Sequence, residues 1–208
     1  LSFEDAILAV RERSRAMQSA CDAAEGTMAA LIGCEGENLE KLLEEASKTG
    51  IIQPANFNSP GQVAVSGDRK AVEKAIEIAK DFCAKKAIPL QVGGAFHSPL
   101  MEPARAEVEA VLSKMDFRDG RIAVVTNVEA RGEKDSDYLR ELLIRQITSP
   151  VLWKQSVDHM VENGVDRFME IGPGKVLSGL VKRSARGSNI GNIDTVEDLK
   201  KFKEAVSA

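Results

Sequence analysis

Histidine is scarce in this chain: His97 and His159 are the only two in 208 residues. Cysteine is almost as rare, and Cys21, Cys34 and Cys83 stand far apart at no zinc-ligand spacing. With no cysteine or carboxylate set at metal spacing around either histidine, no metal site is expected. An odd number of scattered cysteines also predicts no disulfide framework, and so a reducing, cytoplasmic setting. No apolar run approaches the roughly 18 residues of a membrane span, so no membrane association is expected. No signal peptide is visible, and a start at Leu1 rather than methionine predicts that the natural N-terminus is absent. Aromatic residues make up only 4%. That leaves no paired stacking rings for single-stranded RNA.

The charge balance points the same way. A formal net charge of -4 argues against a general nucleic-acid binder, which is usually basic. The 43% hydrophobic and 29% charged fractions are ordinary for a globular protein with a real core. The length fits one domain with an inserted subdomain, or two small ones. There are no internal repeats and no low-complexity segments.

Periodicity and turn residues divide the chain. Ser2 caps a helix with acids in its first turn, and its apolar stripe runs to about Ala23. Met28 to Gly33 reads as a buried strand and Glu37 to Lys48 as an amphipathic helix ending before Gly50. Ile51 to Asn58 is a strand broken by Pro54, the turn Asn58-Ser59-Pro60-Gly61 follows, and Gln62 to Ser66 returns. Asp68 caps a helix to about Lys85, and Ala87 to Val92 is the next strand. This β-α-β-β-α-β order over residues 27–92 predicts a ferredoxin-like subdomain. The remainder alternates. Helices are expected near 102–114, 138–147, 153–163, 176–184 and 196–206. Strands are expected at 122–126, 167–171 and 190–193, with a charged loop over 127–137. That pattern predicts a parallel, three-layer α/β body made of residues 1–26 and 93–208.

One segment stands out for chemistry. Gly94-Ala95-Phe96-His97-Ser98 lies between an apolar strand and a helix start. A turn histidine held by flanking elements is placed for proton transfer, although a plain backbone-bonded turn histidine fits the local context equally well. Arg11, Arg13 and Arg15 alternate on the first helix and fan over different faces, so they cannot all meet one ligand. His159 reads as an exposed structural residue. Glu170 to Lys175 holds a Gly-Pro-Gly turn without Walker spacing, best read as tight packing.

The Gly94–Ser98 motif resembles, at every position, the histidine motif of malonyl-CoA:acyl carrier protein transacylases. Asn56-Phe57-Asn58-Ser59-Pro60-Gly61-Gln62, Val124 to Val128 and Glu170 to Leu177 are similar to further family segments. The resemblance covers nearly the whole chain to about Arg183. It implies an acyltransferase body carrying the subdomain, and malonyl transfer from coenzyme A to the phosphopantetheine thiol of an acyl carrier protein. It implies His97 as the acid-base, oriented by a main-chain carbonyl at Gln146. Arg13, four residues before Met17, would grip the malonyl carboxylate through a bidentate fork. Ser14 stands where the family usually has glycine. Phe96 would fill the space an α-methyl group needs. Malonyl-CoA is substrate, and no tightly bound cofactor is implied. The family's nucleophile is a serine in a Gly-x-Ser-x-Gly elbow, and no glycine here has serine two residues on and glycine four residues on. The serine and the oxyanion hole are therefore expected outside these residues. The competing expectation is a non-catalytic module that binds acyl carrier protein or coenzyme A.

Overall fold

A computed structural model describes residues 1–207; Ala208, the last residue of the expected body, lies outside them. The first helix, α1 (Phe3–Ala23), starts as its sequence dictates, with the Ser2 side chain accepting from the Asp5 amide at 3.0 Å. Then come β1 (Gly26–Ile32), α2 (Gly36–Ser47), β2 (Ile52–Ser59), β3 (Gln62–Asp68), α3 (Arg69–Phe82) and β4 (Lys86–Pro89). The four strands form one antiparallel sheet in the order β2-β3-β1-β4.

Alternation along the strands separates the two faces of this sheet. Ala29 and Leu31 of β1, with Val63 and Val65 of β3, pack under Leu39, Leu42 and Ala46 of α2 and Val72, Ala75 and Ala79 of α3. Met28 and Ala64 turn to the opposite face and meet Ala55, Leu90 and Phe96. That second face carries the sheet against the segment around His97. Asp68 occupies the cap position of α3, but its carboxylate accepts from the Ile51 amide at 2.7 Å instead of the helix.

Beyond β4 a single 3₁₀ turn, Pro99–Met101, leads into α4 (Glu102–Leu112). The rest comprises β5 (Val124–Val125), β6 (Gly132–Glu133), α5 (Ser136–Arg145), α6 (Trp153–Glu162), β7 (Arg167–Ile171), α7 (Val176–Ser184), β8 (Asn189–Ile193) and α8 (Val196–Ser207). α1, α4 and α5 share a core of Ala16, Met17, Ala20, Met101, Ala104, Val108, Leu112 and Ile144.

Two expectations need correction. The Asn127–Asp137 segment is not all loop. Ala130 adopts φ 54° and donates to Thr126 at 2.9 Å, folding the chain back so that β6 pairs antiparallel with β5. Among the described residues the parallel pairing of the body is therefore limited to β7 and β8. The cysteine expectation also fails, because Cys34 and Cys83 are joined with their Cα atoms 4.8 Å apart. The sheet brings them together: Lys85 donates to Ile32 at 2.7 Å, placing the end of α3 beside the end of β1. Cys21 is free and buried.

Cys21 lies against the strand-to-helix connection that holds His97. A Cβ at Gly94 would overlap the Cys21 sulfur and stand 2.8 Å from its Cβ. Gly94→Ala should therefore destabilise the fold by about 1–3 kcal/mol, the usual cost of overpacking. Denaturant unfolding measures this, and an unchanged midpoint would mean that α1 yields freely at Cys21.

Candidate active site

Three segments far apart in sequence meet at His97. The histidine has φ 58°, in the left-handed region that L side chains rarely adopt. Its Nδ1 lies 3.0 Å from the main-chain oxygen of Gln146, the residue that caps α5. The same nitrogen is 3.2 Å from Gln146 Nε2. A single Nδ1 cannot donate to the carbonyl and accept from the amide at once. The Gln146 Oε1 accepts from Arg13 Nη2 at 3.1 Å, which fixes the amide's orientation. The shorter contact then assigns the proton to Nδ1 and leaves Nε2 with its lone pair free.

Arg13 is the one arginine of the alternating three that turns inward. Arg11 and Arg15 are exposed and share Glu12, whereas Arg13 is half-buried. Burial lowers its pKa from an ordinary arginine value, yet a guanidinium stays charged at any working pH. Burial also holds the His97 pKa below the ordinary histidine value. The Gln146 carbonyl opposes this, the nearby Arg13 charge adds to it, and the Ser149 backbone opposes it. The balance keeps a neutral imidazole, the form a base must have.

These groups open on one cleft of about 400 Å³, lined by Arg13, Met17, Met28, Asn56, Phe96 and His97 among others. Phe96 is half-buried and packs against both neighbouring cores. Four residues singled out in the sequence, Arg13, Phe96, His97 and Gln146, are thus brought together. Sequence reasoning placed Asn56 in a strand and gave it no part in the site. A register shift in β2 between Pro54 and Asn56 instead turns Asn56 to the cleft wall. Pro54 was the available signal, since proline sits in strands at edges and bulges.

Other candidates fall away from this cleft. The α7 start already faces a carboxylate, because Glu170 accepts from the amides of Leu177 and Ser178 at 3.0 and 2.8 Å. That also explains the Gly-Pro-Gly turn: Gly172 and Gly174 both have positive φ, which lets the chain reverse tightly over Glu170. His159 lies on α6 away from the cleft, where the Asn163 side-chain amide donates to its main-chain oxygen at 2.8 Å, and no cluster of metal-ligand type occurs among the described residues.

The chain resembles known proteins along almost its whole length. The acyl transferase domain family matches residues 1–206. A malonyl CoA-acyl carrier protein transacylase from Staphylococcus aureus is 39% identical over 205 residues, covering 98% of this chain and 67% of the relative. A Bacillus subtilis protein of the same name is 45% identical over 187 residues, covering 89% and 59%. The crystal structure of acyl-carrier-protein-S-malonyltransferase from Bartonella henselae superposes with a TM-score of 0.93 at 35% identity, covering 100% of this chain and 66% of that one. The chain spans about two thirds of the length of these relatives, and it has their α/β acyltransferase fold. A match over nearly every residue, in sequence and in backbone, means that this chain belongs to the acyl transferase domain family, among the malonyl CoA-acyl carrier protein transacylases.

Proposed function

We propose that this chain is the larger part of an enzyme that moves a malonyl group from malonyl-CoA to the phosphopantetheine thiol of acyl carrier protein. The observation that carries the reading is a neutral, carbonyl-oriented histidine beside a half-buried arginine at one cleft. The serine that would hold the acyl group comes from outside these 208 residues. An apolar groove of about 360 Å³, lined by Leu1, Val124, Leu142 and Leu143, opens beside Gln146. It gives a segment bearing that serine a surface on which to pack.

His97 then acts twice. Its Nε2 takes the proton as the serine oxygen bonds to the thioester carbonyl carbon, and the imidazolium returns that proton to the departing coenzyme A sulfur. In the second half the carrier thiol gives its proton to Nε2 and attacks the ester, and the serine oxygen leaves with that proton. The chemistry uses no resident cofactor. Arg13 Nη2 is engaged by Gln146, which orients the guanidinium and leaves its other N–H groups for the malonyl carboxylate. Once that carboxylate cancels the Arg13 charge, protonation of His97 is less opposed, so the acid-base is tuned to a malonyl substrate. Phe96 takes the room of an α-methyl group, a difference worth roughly 10–200-fold between malonyl and methylmalonyl.

Residues 27–92 form the small subdomain of this enzyme, ferredoxin-like in strand order, and 1–26 with 93–208 form the body. The setting is the cytoplasm, since the assigned substrate is a polyanionic thioester that does not cross a bilayer. A non-catalytic carrier-binding module would need neither a neutral imidazole nor its carbonyl orienter.

In the full-length protein, His97→Ala should lower transfer at least about 100-fold. The wild-type acid limb of kcat/KM should fall below pH 6.5, the ordinary histidine value of about 6.5 being depressed by burial. The sign is fixed: the base works neutral, and its protonation is delayed to lower pH. Steady-state transfer against pH measures both, and an acid limb at 7 or above would contradict the buried base.

Arg13→Ala should cost about 1.5–3 kcal/mol with malonyl-CoA, the worth of a bond to a charged group, or roughly 10–150-fold in kcat/KM. Acetyl-CoA has no carboxylate to lose and should suffer less. Parallel assays of both thioesters check this, and equal losses would make Arg13 structural.

A further inference from the structure

We propose that Gln53 is a positioning residue for the acid-base, a clamp through which the small antiparallel sheet holds His97 and its orienting carbonyl in register. The inference rests on the transferase reading for its kinetic consequence, but its geometry stands independently of that reading.

Gln53 lies near the start of β2, paired with Ser66 of β3. Its side-chain amide donates to two main-chain oxygens on two different segments. One is His97 O at 2.7 Å, and the other is Thr148 O at 3.0 Å. Thr148 is two residues beyond Gln146, whose own carbonyl meets His97 Nδ1. A single planar amide therefore spans both sides of the contact that fixes the imidazole. The fork suits the task, because an NH₂ group has two donors at a fixed angle.

The anchor behind the clamp is firm. Downstream of Gln53 the same strand binds the same segment, with Val151 donating to Ala55 at 2.8 Å and Phe57 donating to Val151 at 2.9 Å. β2 is thus tied to residues 148–151 along its length, and Gln53 extends that tie to His97. His97 needs such a tie. A non-glycine residue with positive φ persists where its surroundings over-determine it, and the carbonyl of that same residue is the one Gln53 grips. The sheet is therefore part of the catalytic apparatus and not only a wall of the cleft.

The test replaces Gln53 by methionine, which keeps length and volume but has no donor, with Gln53→Ala as a second variant. In the full-length protein kcat should fall about 10- to 100-fold, the scale of a misplaced reacting group. KM for malonyl-CoA should stay within about twofold, since Gln53 does not line the cleft. In the full-length protein, proton NMR of the His97 ring, assigned by its loss in His97→Ala, should show its pKa moving up toward the ordinary histidine value as the ring gains freedom. Wild-type kcat and an unmoved His97 titration in Gln53→Met would overturn the proposal. Loss of the dispersed amide spectrum in both variants would overturn it too, by making Gln53 a general structural residue. A shifted His97 titration with unchanged kcat would overturn the catalytic role of the clamp, whereas a shifted titration in a full-length protein that transfers no malonyl group even as wild type would uphold the clamp and count against the transferase reading instead.

Discussion

The site depends on the 3.0 Å contact between His97 Nδ1 and the main-chain oxygen of Gln146. An imidazole has two nitrogens and little intrinsic preference for which of them holds the proton. A carbonyl can only accept, so it forces the proton onto Nδ1 and frees Nε2. A carboxylate in the same place would add a negative charge and raise the basicity of the ring. A carbonyl orients with less charge, and burial together with the Arg13 guanidinium then keeps the ring neutral. Arg13, by bonding the Gln146 side chain, ties a half-buried cation to the residue that orients the imidazole.

That contact bridges 49 residues of sequence, and several features of the fold exist to hold its two ends. Gly94 lets the connection after β4 pass close to Cys21 of α1, and Gly26 lets Ala95 of that connection pass close to the start of β1, approaches that a Cβ would block. On the other side, α5 ends at Gln146, and Glu129 grips the helix at both ends by accepting from Tyr138 of its first turn at 2.7 Å and Arg145 of its last at 3.1 Å. The turn that supplies Glu129 is the same reversal that pairs β5 with β6. A feature that looks peripheral in sequence therefore steadies the carbonyl.

Much of this was legible in the residues. Residues 28–89 carry strong periodicity and clear turn signals, and each predicted element there lies within a few residues of the observed one. His97, Phe96, Arg13 and Gln146 were singled out by motif, although only folding shows that Arg13 alone of its three neighbours turns inward. What stayed hidden shares a physical cause. The Cys34–Cys83 bond, the Gln53 clamp and the Asn56 cleft wall all depend on pairings between distant segments, which leave no local pattern. The β5–β6 pairing was missed because two-residue strands are too short to show a period, and its reversal uses an alanine at positive φ where composition would suggest glycine or asparagine.

The central claim is that His97 is a neutral base with its proton fixed on Nδ1 by Gln146. Nitrogen-15 NMR of the histidine rings reads this directly, because protonated and bare ring nitrogens resonate far apart and only two histidines are present. At neutral pH the account predicts a protonated Nδ1 and a bare Nε2 at His97. A proton on Nε2, or on both nitrogens, would contradict it.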